Sequence, residues 1–224
     1  MSALSGKTAL VHAQAGCGIG DACTLALQTA GAGVFATHQL SDVDEYDLLS
    51  DAGWQALVQR CLEELGRLDI FVCCAPRNPA TAITGTSLAQ FQDILYDSAL
   101  KGWLGQKHAV LAMREHGRGG GIVHVTSVLA RAAVENAAAQ SAAEAGLLMS
   151  AKAAALECAK RGDGILVNTV LAGPIEEDGS SNLLPEHAAV SASSVADAAL
   201  FLLSDGADYM TGTEIAVDRG FLSR

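Results

Sequence analysis

Apolar residues along this chain fall into runs of five to eight, separated by longer stretches in which they recur with helical spacing. The runs TALVHA (8–13), GVFAT (33–37), DIFVCCA (69–75), GGIVHVTS (120–127), ILVNTVL (165–171) and EIAVD (214–218) have strand length. Between them, residues near 19–30, 54–65, 88–116, 135–161 and 194–204 carry helical patterns. Strands that are apolar throughout and alternate with helices predict a parallel sheet covered on both faces, hence an α/β fold with a doubly wound sheet and right-handed crossovers. Neither heptads nor internal repeats interrupt the pattern. At 224 residues the chain suits one domain, 1–224, with a sizeable core.

Composition narrows the classes of partner. Aromatics are only 4% of residues, so helices must approach the sheet closely through small side chains. The formal net charge of −11 lacks the clustered Lys and Arg that nucleic acid or an anionic membrane surface requires, so neither partner is expected. No stretch reaches the ~18 consecutive apolar residues of a membrane span, and MSALSGKTALVH reads as the approach to a first strand; a cytoplasmic protein is expected. The cysteines at 17, 23, 61, 73, 74 and 158 lack the paired spacing of a zinc site and read as small buried hydrophobes, with no metal expected. For the adjacent pair Cys73-Cys74 a second reading stays open, a redox-sensing thiol pair beside Arg77.

In a doubly wound sheet ligands bind beyond the carboxyl ends of the strands. After the first strand AQAGCGIG places Gly16, Gly18 and Gly20 ahead of a helix, a pattern that lets backbone N–H groups and a helix N-terminus approach a pyrophosphate. This turn resembles the TGxxxGIG segment of the short-chain dehydrogenase/reductase family, with Ala13-Gln14 in place of Thr-Gly. IVHVTS (122–127), AGLLMSAKAAALE (145–157), SALKGWLGQKHAV (98–110) and ILVNTVLAGPIEED (165–178) extend the resemblance over essentially the whole chain. The fold implied is Rossmann-type.

Measured against that family the chain departs at its working positions. The tip of the second strand offers His38 and Gln39 where an acid would hold a ribose hydroxyl, though Asp42 and Asp44 lie nearby. The span from His38 to Asp51 is short for a helix, a strand and a return, so the second βα unit is expected to be abbreviated. Asp47 resembles the family's adenine-contacting Asp. Cys73-Cys74-Ala75-Pro76 replaces the family's NNAG. Counting from Ser127, which matches the catalytic Ser, the Tyr position 13 residues on is Gln140, the Lys position four further is Glu144, and the Asn position is Ala99. The substrate-covering segment, reduced to GSSNLLPEHAAVSAS (179–193), is expected to be truncated.

A phenol works as an acid–base near neutral pH only beside a cation that stabilises its phenolate, and neither group stands at its place here. Catalytic roles are therefore not expected of Ala99, Ser127, Gln140 and Glu144, and dinucleotide binding by Gly16, Gly18, Gly20 and Asp47 is expected to be weak or lost. Both long helices, 88–116 and 135–161, resemble those that pack across a two-fold axis in the family. These readings together imply a structural or regulatory subunit of a hetero-oligomeric dehydrogenase, possessing no tight cofactor itself, beside a homologous active partner that carries NAD(P); a hydroxyacyl-CoA dehydrogenase is the complex favoured. Two readings stay open beside it. One is cofactor-free lyase or dehalogenase-like chemistry by Ser127 and Glu144; the other is an atypical active oxidoreductase with a relocated Tyr46, Tyr96 or Tyr209, while His124 reads as a core histidine.

Overall fold

The computed structural model describes residues 3–75, 80–175 and 189–223. Its six strands form one all-parallel sheet in the order β2-β1-β3-β4-β5-β6. They are β1 (Thr8–His12), β2 (Gly33–Ala36), β3 (Ile70–Cys74), β4 (Gly120–Ser127), β5 (Ile165–Ala172) and β6 (Glu214–Val217). The helices are α1 (Gly18–Thr29), α2 (Asp51–Leu65), α3 (Leu88–Leu95), α4 (Lys101–His116), α5 (Ala138–Arg161) and α6 (Ala192–Leu202). β1 pairs with both β2 and β3, so the strand order reverses between β1 and β3, the place where such sheets open a crevice.

Alternation of side chains along each strand divides the core between the two faces. On one face Val11, Val72, Cys74, Val125 and Val170 pack beneath α1 and α6; on the other Leu10, Phe71, Cys73, Ile122 and Val167 pack beneath α2, α4 and α5. Among the described residues no helix is long and apolar enough to cross a membrane.

The second βα unit is abbreviated, as its length predicts. From β2 the chain runs through two single 3₁₀ turns, Thr37–Gln39 and Val43–Glu45, straight to α2, with no strand between residues 37 and 50. Ser50 caps α2 by accepting from the Gly53 N–H at 3.1 Å, which starts the helix three residues earlier than its apolar pattern indicates. Gly53 is required there: a Cβ would sit 2.0 Å from the Asp47 carbonyl oxygen, so the shortened connection lies directly on the helix backbone.

Trp54 fixes this tight join. It is fully buried, donates from Nε1 to the Leu48 carbonyl at 2.9 Å and meets the His12 and Phe71 rings edge-on at 4.9 and 6.1 Å. Trp54→Phe removes the donor, strands the buried carbonyl and leaves a void, so a loss of about 1–3 kcal/mol in urea unfolding is expected. A change within a few tenths would show that the connection is held elsewhere.

The predicted helix 88–116 is continuous but not uniform. α3 and α4 are joined by a π-helical turn, Tyr96–Leu100, which widens the helix where Ala99 lies. The shortened segment expected at 179–193 falls largely on residues outside those described.

Candidate functional site

The carboxyl ends of β1, β3 and β4 converge beside the N-termini of α1 and α5. At the first, Gly16 takes the left-handed conformation (φ 75°), whereas Gln14, at the position of the family's first Gly, does not. A Cβ on Gly20 would lie 2.5 Å from that of Ala13, so this glycine seats α1 on β1. Gly18 faces open space.

Past β2, Thr37 and His38 turn inward. Thr37 Oγ1 lies 3.1 Å from His12 Nδ1 and donates to the Ala13 carbonyl at 3.3 Å, tying β2's end to β1. The His38 side chain is only 2% exposed; its ring packs against Gly20 and its Nε2 lies 3.2 Å from the exposed Asp21 carboxylate in the first turn of α1. Of the acids near the tip of β2, Asp42 is engaged elsewhere. Asp42 accepts from Arg60 at 2.7 Å, a bond that lowers its pKa, and Tyr46 Oη accepts from the same guanidinium. Asp47 uses Oδ1 to accept from the Leu49 N–H at 3.1 Å and shapes the turn before α2.

At the β4 end the positions that resemble a catalytic set are bonded to one another. Gln140 Nε2 donates to Glu144 Oε1 at 2.6 Å, one helical turn along α5, and the Ser127 backbone N–H donates to Glu144 Oε2 at 3.3 Å. Ser127 Oγ accepts from the Leu129 N–H at 3.2 Å, capping the 3₁₀ turn Val128–Ala130. Glu144 is 1% exposed and Gln140 8%. Ala99 lies on the π turn against α5, facing Gly146. The turn beyond Ser127 is fastened from outside, because Glu214 on β6 is bridged by Arg131 and by Lys152 of α5; the Arg131 hydrogen bond, before all else, holds the Glu214 carboxyl down at about 2.

Burial and the Glu144 carboxylate together push the Cys73 thiol up to about 12, leaving it a neutral thiol. The vicinal pair does not act as a unit: Cys73 belongs to the α2/α4/α5 face and Cys74 to the α1/α6 face, so their sulfurs point through opposite sides of β3. That corrects the reading of Cys73-Cys74 as one redox pair. Pro76 and Arg77 lie outside the described residues. Among the described residues no group of three or more His, Cys, Asp or Glu could hold a metal.

The relocated tyrosines fare unequally. Tyr209 is fully exposed and its neighbour Gly212 donates to the Val167 carbonyl, on the amino-terminal half of β5 and away from the crevice. Tyr46 is held by Arg60. Tyr96, on the π turn, is partly exposed. His124 is a core histidine, with Nε2 2.8 Å from Gln106 Oε1, and burial lowers its pKa to about 4. Buried His12 and His38 carry no mark in the sequence pattern beyond their place at a strand end.

Comparison with known proteins agrees with this architecture. A family profile described as enoyl-(acyl carrier protein) reductase matches residues 13–222. The chain is 29% identical to the short chain dehydrogenase/reductase astE of Aspergillus oryzae over 97% of its own length and 95% of that protein's. It is 28% identical to the 3-oxoacyl-[acyl-carrier-protein] reductase FabG of Rickettsia conorii, covering 98% of both. A crystal structure of a short-chain dehydrogenase/reductase from Burkholderia xenovorans superposes with a TM-score of 0.86 at 27% identity, over 100% of this chain and 99% of that one. The glycine-rich first turn, the parallel sheet and these full-length likenesses agree, and the chain belongs to the short-chain dehydrogenase/reductase family.

Proposed function

We propose that this chain is a non-catalytic member of its family, a structural or regulatory subunit of a hetero-oligomeric NAD(P)-dependent dehydrogenase whose homologous partner carries the cofactor and the chemistry. The observation that carries the reading is the closed Gln140–Glu144–Ser127 set. A carboxylate buried to 1% exposure and accepting from its own neighbours offers no acid–base group to a substrate, and its charge opposes a phenolate.

The residues present do not fit a dinucleotide. His38 is packed against Gly20 at the tip of β2, where a ribose-binding acid would stand, and Asp21 sets a negative charge in the first turn of the helix that would face the pyrophosphate. Cys73 and Cys74 are buried thiols and supply no amide. No step of a hydride transfer is therefore assigned to this chain. Cofactor-free chemistry by Ser127 and Glu144 meets the same obstacle, since reaching Glu144 requires breaking the bonds from Gln140 and from the Ser127 N–H.

Support for a partner comes from the outer face of α4 and α5. Trp103, Leu111, Met149 and Leu156 are exposed there beside a groove of about 490 Å³ floored by Ser150, Ala153 and Ala154. Small residues between large apolar ones suit a partner's helices. A hydroxyacyl-CoA dehydrogenase is the complex we favour; one relative, FabG, is a reductase of the related 3-oxoacyl class.

Native mass spectrometry of the protein purified from its own source tests this reading, with calorimetric titration of NAD(H) and NADP(H) into the isolated chain. Expected are a mixed dimer or tetramer with a second chain of similar size, and no cofactor binding tighter than about 1 mM. A homo-oligomer that binds a nicotinamide cofactor and turns over an alcohol or ketone would sink it.

A further inference from the structure

The shortened connection after β2 meets α1 through His38, whose buried ring lies against Gly20 in the first turn of that helix. Its Nε2 comes within 3.2 Å of Asp21 Oδ1, yet among the described residues neither ring nitrogen makes a hydrogen bond. A neutral imidazole buried without such a bond gains little from its neighbour, whereas an imidazolium that close to a carboxylate gains a charge attraction that needs no strict angle. Asp21 is 61% exposed, so the pair has one member in the core and one in water. The backbone that carries the ring is anchored one residue earlier. Thr37 Oγ1 accepts from the Ala13 N–H and donates to the Ala13 carbonyl, at 3.3 Å each, and lies 3.1 Å from His12 Nδ1.

We propose that His38 and Asp21 form a pH-responsive latch, in which the protonated ring fastens the connection after β2 to the first turn of α1 and the neutral ring leaves that junction to packing alone. The charges around the ring single out Asp21 as its partner. From α1 the facing group is Asp21 itself. From β1 it is His12, whose pKa, lowered to about 4 by burial first, keeps it neutral through the range near pH 6.5 in which an imidazole ordinarily titrates. His12 is faced in turn by Lys101 and Asp97, which pair with each other at 2.6 Å. On the connection, Thr37 carries no charge and Asp42 is bonded to Arg60.

The attraction is therefore present below the ordinary imidazole titration and lost above it, the opposite direction to the effect of a histidine buried neutral. Because α1 begins directly after the glycine-rich turn, the latch holds that end of the crevice more firmly in mild acid than above neutral pH. This inference is independent of the subunit role proposed above and stands or falls without it.

A double-mutant cycle on the full-length protein tests the latch, with wild type, Asp21→Asn, His38→Gln and the double variant unfolded in urea at about pH 5.5 and about pH 8, on either side of the ordinary imidazole titration. Expected is a coupling between the two positions of about fivefold in the unfolding equilibrium constant at the lower pH, falling below about twofold at the higher. The response of the other histidines to acid is shared by all four proteins and cancels in the cycle, and the loss of a negative charge from the start of α1 is the same at both pH values. A coupling of equal size at the two pH values, or one below about twofold at the lower pH, overturns the proposal. Should His38→Gln not fold, Asp21→Asn, a change at an exposed side chain, decides alone: it is expected to cost about fivefold more in the equilibrium constant at the lower pH, and an equal cost at both overturns the latch.

Discussion

Acidification from about pH 7 to 4 is expected to cost the protein about 3 kcal/mol for each of two histidines, His12 and His124. Both have pKa values lowered to about 4, His124 by burial and His12 by burial first and then by the charges of Lys101 and His38, against a smaller opposing pull from Asp97. In the unfolded chain each takes up a proton near pH 6.5, while in the folded chain each stays neutral until about pH 4. Between those values the unfolded state therefore binds more protons, so stability is complete above about pH 6.5 and falls as the pH drops through that window. The slope for two such groups is about 2.7 kcal/mol per pH unit. Urea midpoints at pH 7, 6 and 5 read it directly. His124→Gln, which keeps a donor for Gln106, is expected to halve the slope; a wild-type midpoint that stays level to pH 5 would show that both rings accept protons in the native state.

Restoring the family's lysine at position 144 is expected to destabilise the chain by about 3–5 kcal/mol, which for a domain of this length lowers Tm by roughly 6–20 °C. The Glu144 carboxylate accepts from Gln140 and from the Ser127 backbone, both donors; an ammonium in its place offers three more donors and leaves the Ser127 N–H facing a cation inside the core. Glu144→Gln keeps one acceptor oxygen and is expected to cost about 1–2 kcal/mol. Thermal denaturation of the two variants side by side is the measurement. Equal, small effects would mean that Glu144 is only loosely held and that its place in the site is free for other use.

Much of the fold was legible because it rests on local periodicity. Apolar runs bounded by turn residues marked all six strands to within two residues at either end, and the short stretch after β2 betrayed its missing strand by length alone. Capping was also legible in principle, since Ser50 ahead of an amphipathic run announces the start of α2. The π turn at Tyr96–Leu100 was not, because YDSAL carries no Pro or Gly and the widening answers to packing against α5. At the site, the positions that resemble the family's catalytic set could be counted along the chain, but the bond from Ser127 to Glu144 joins residues 17 apart on different elements. Strand alternation already separates Cys73 from Cys74. The inward turn of His38 escaped because a polar residue at a strand tip is ordinarily a surface residue.

β2 is the border of the sheet, with backbone groups on one side that no strand among the described residues satisfies. A parallel strand directs alternate residues outward, so the four residues of β2 present only about two residues' worth of open donors and acceptors. Arg60 stands over the Phe35 ring there, placing a charge at the margin. A border this short, with a guanidinium on guard, is a poor template for a stray chain to extend.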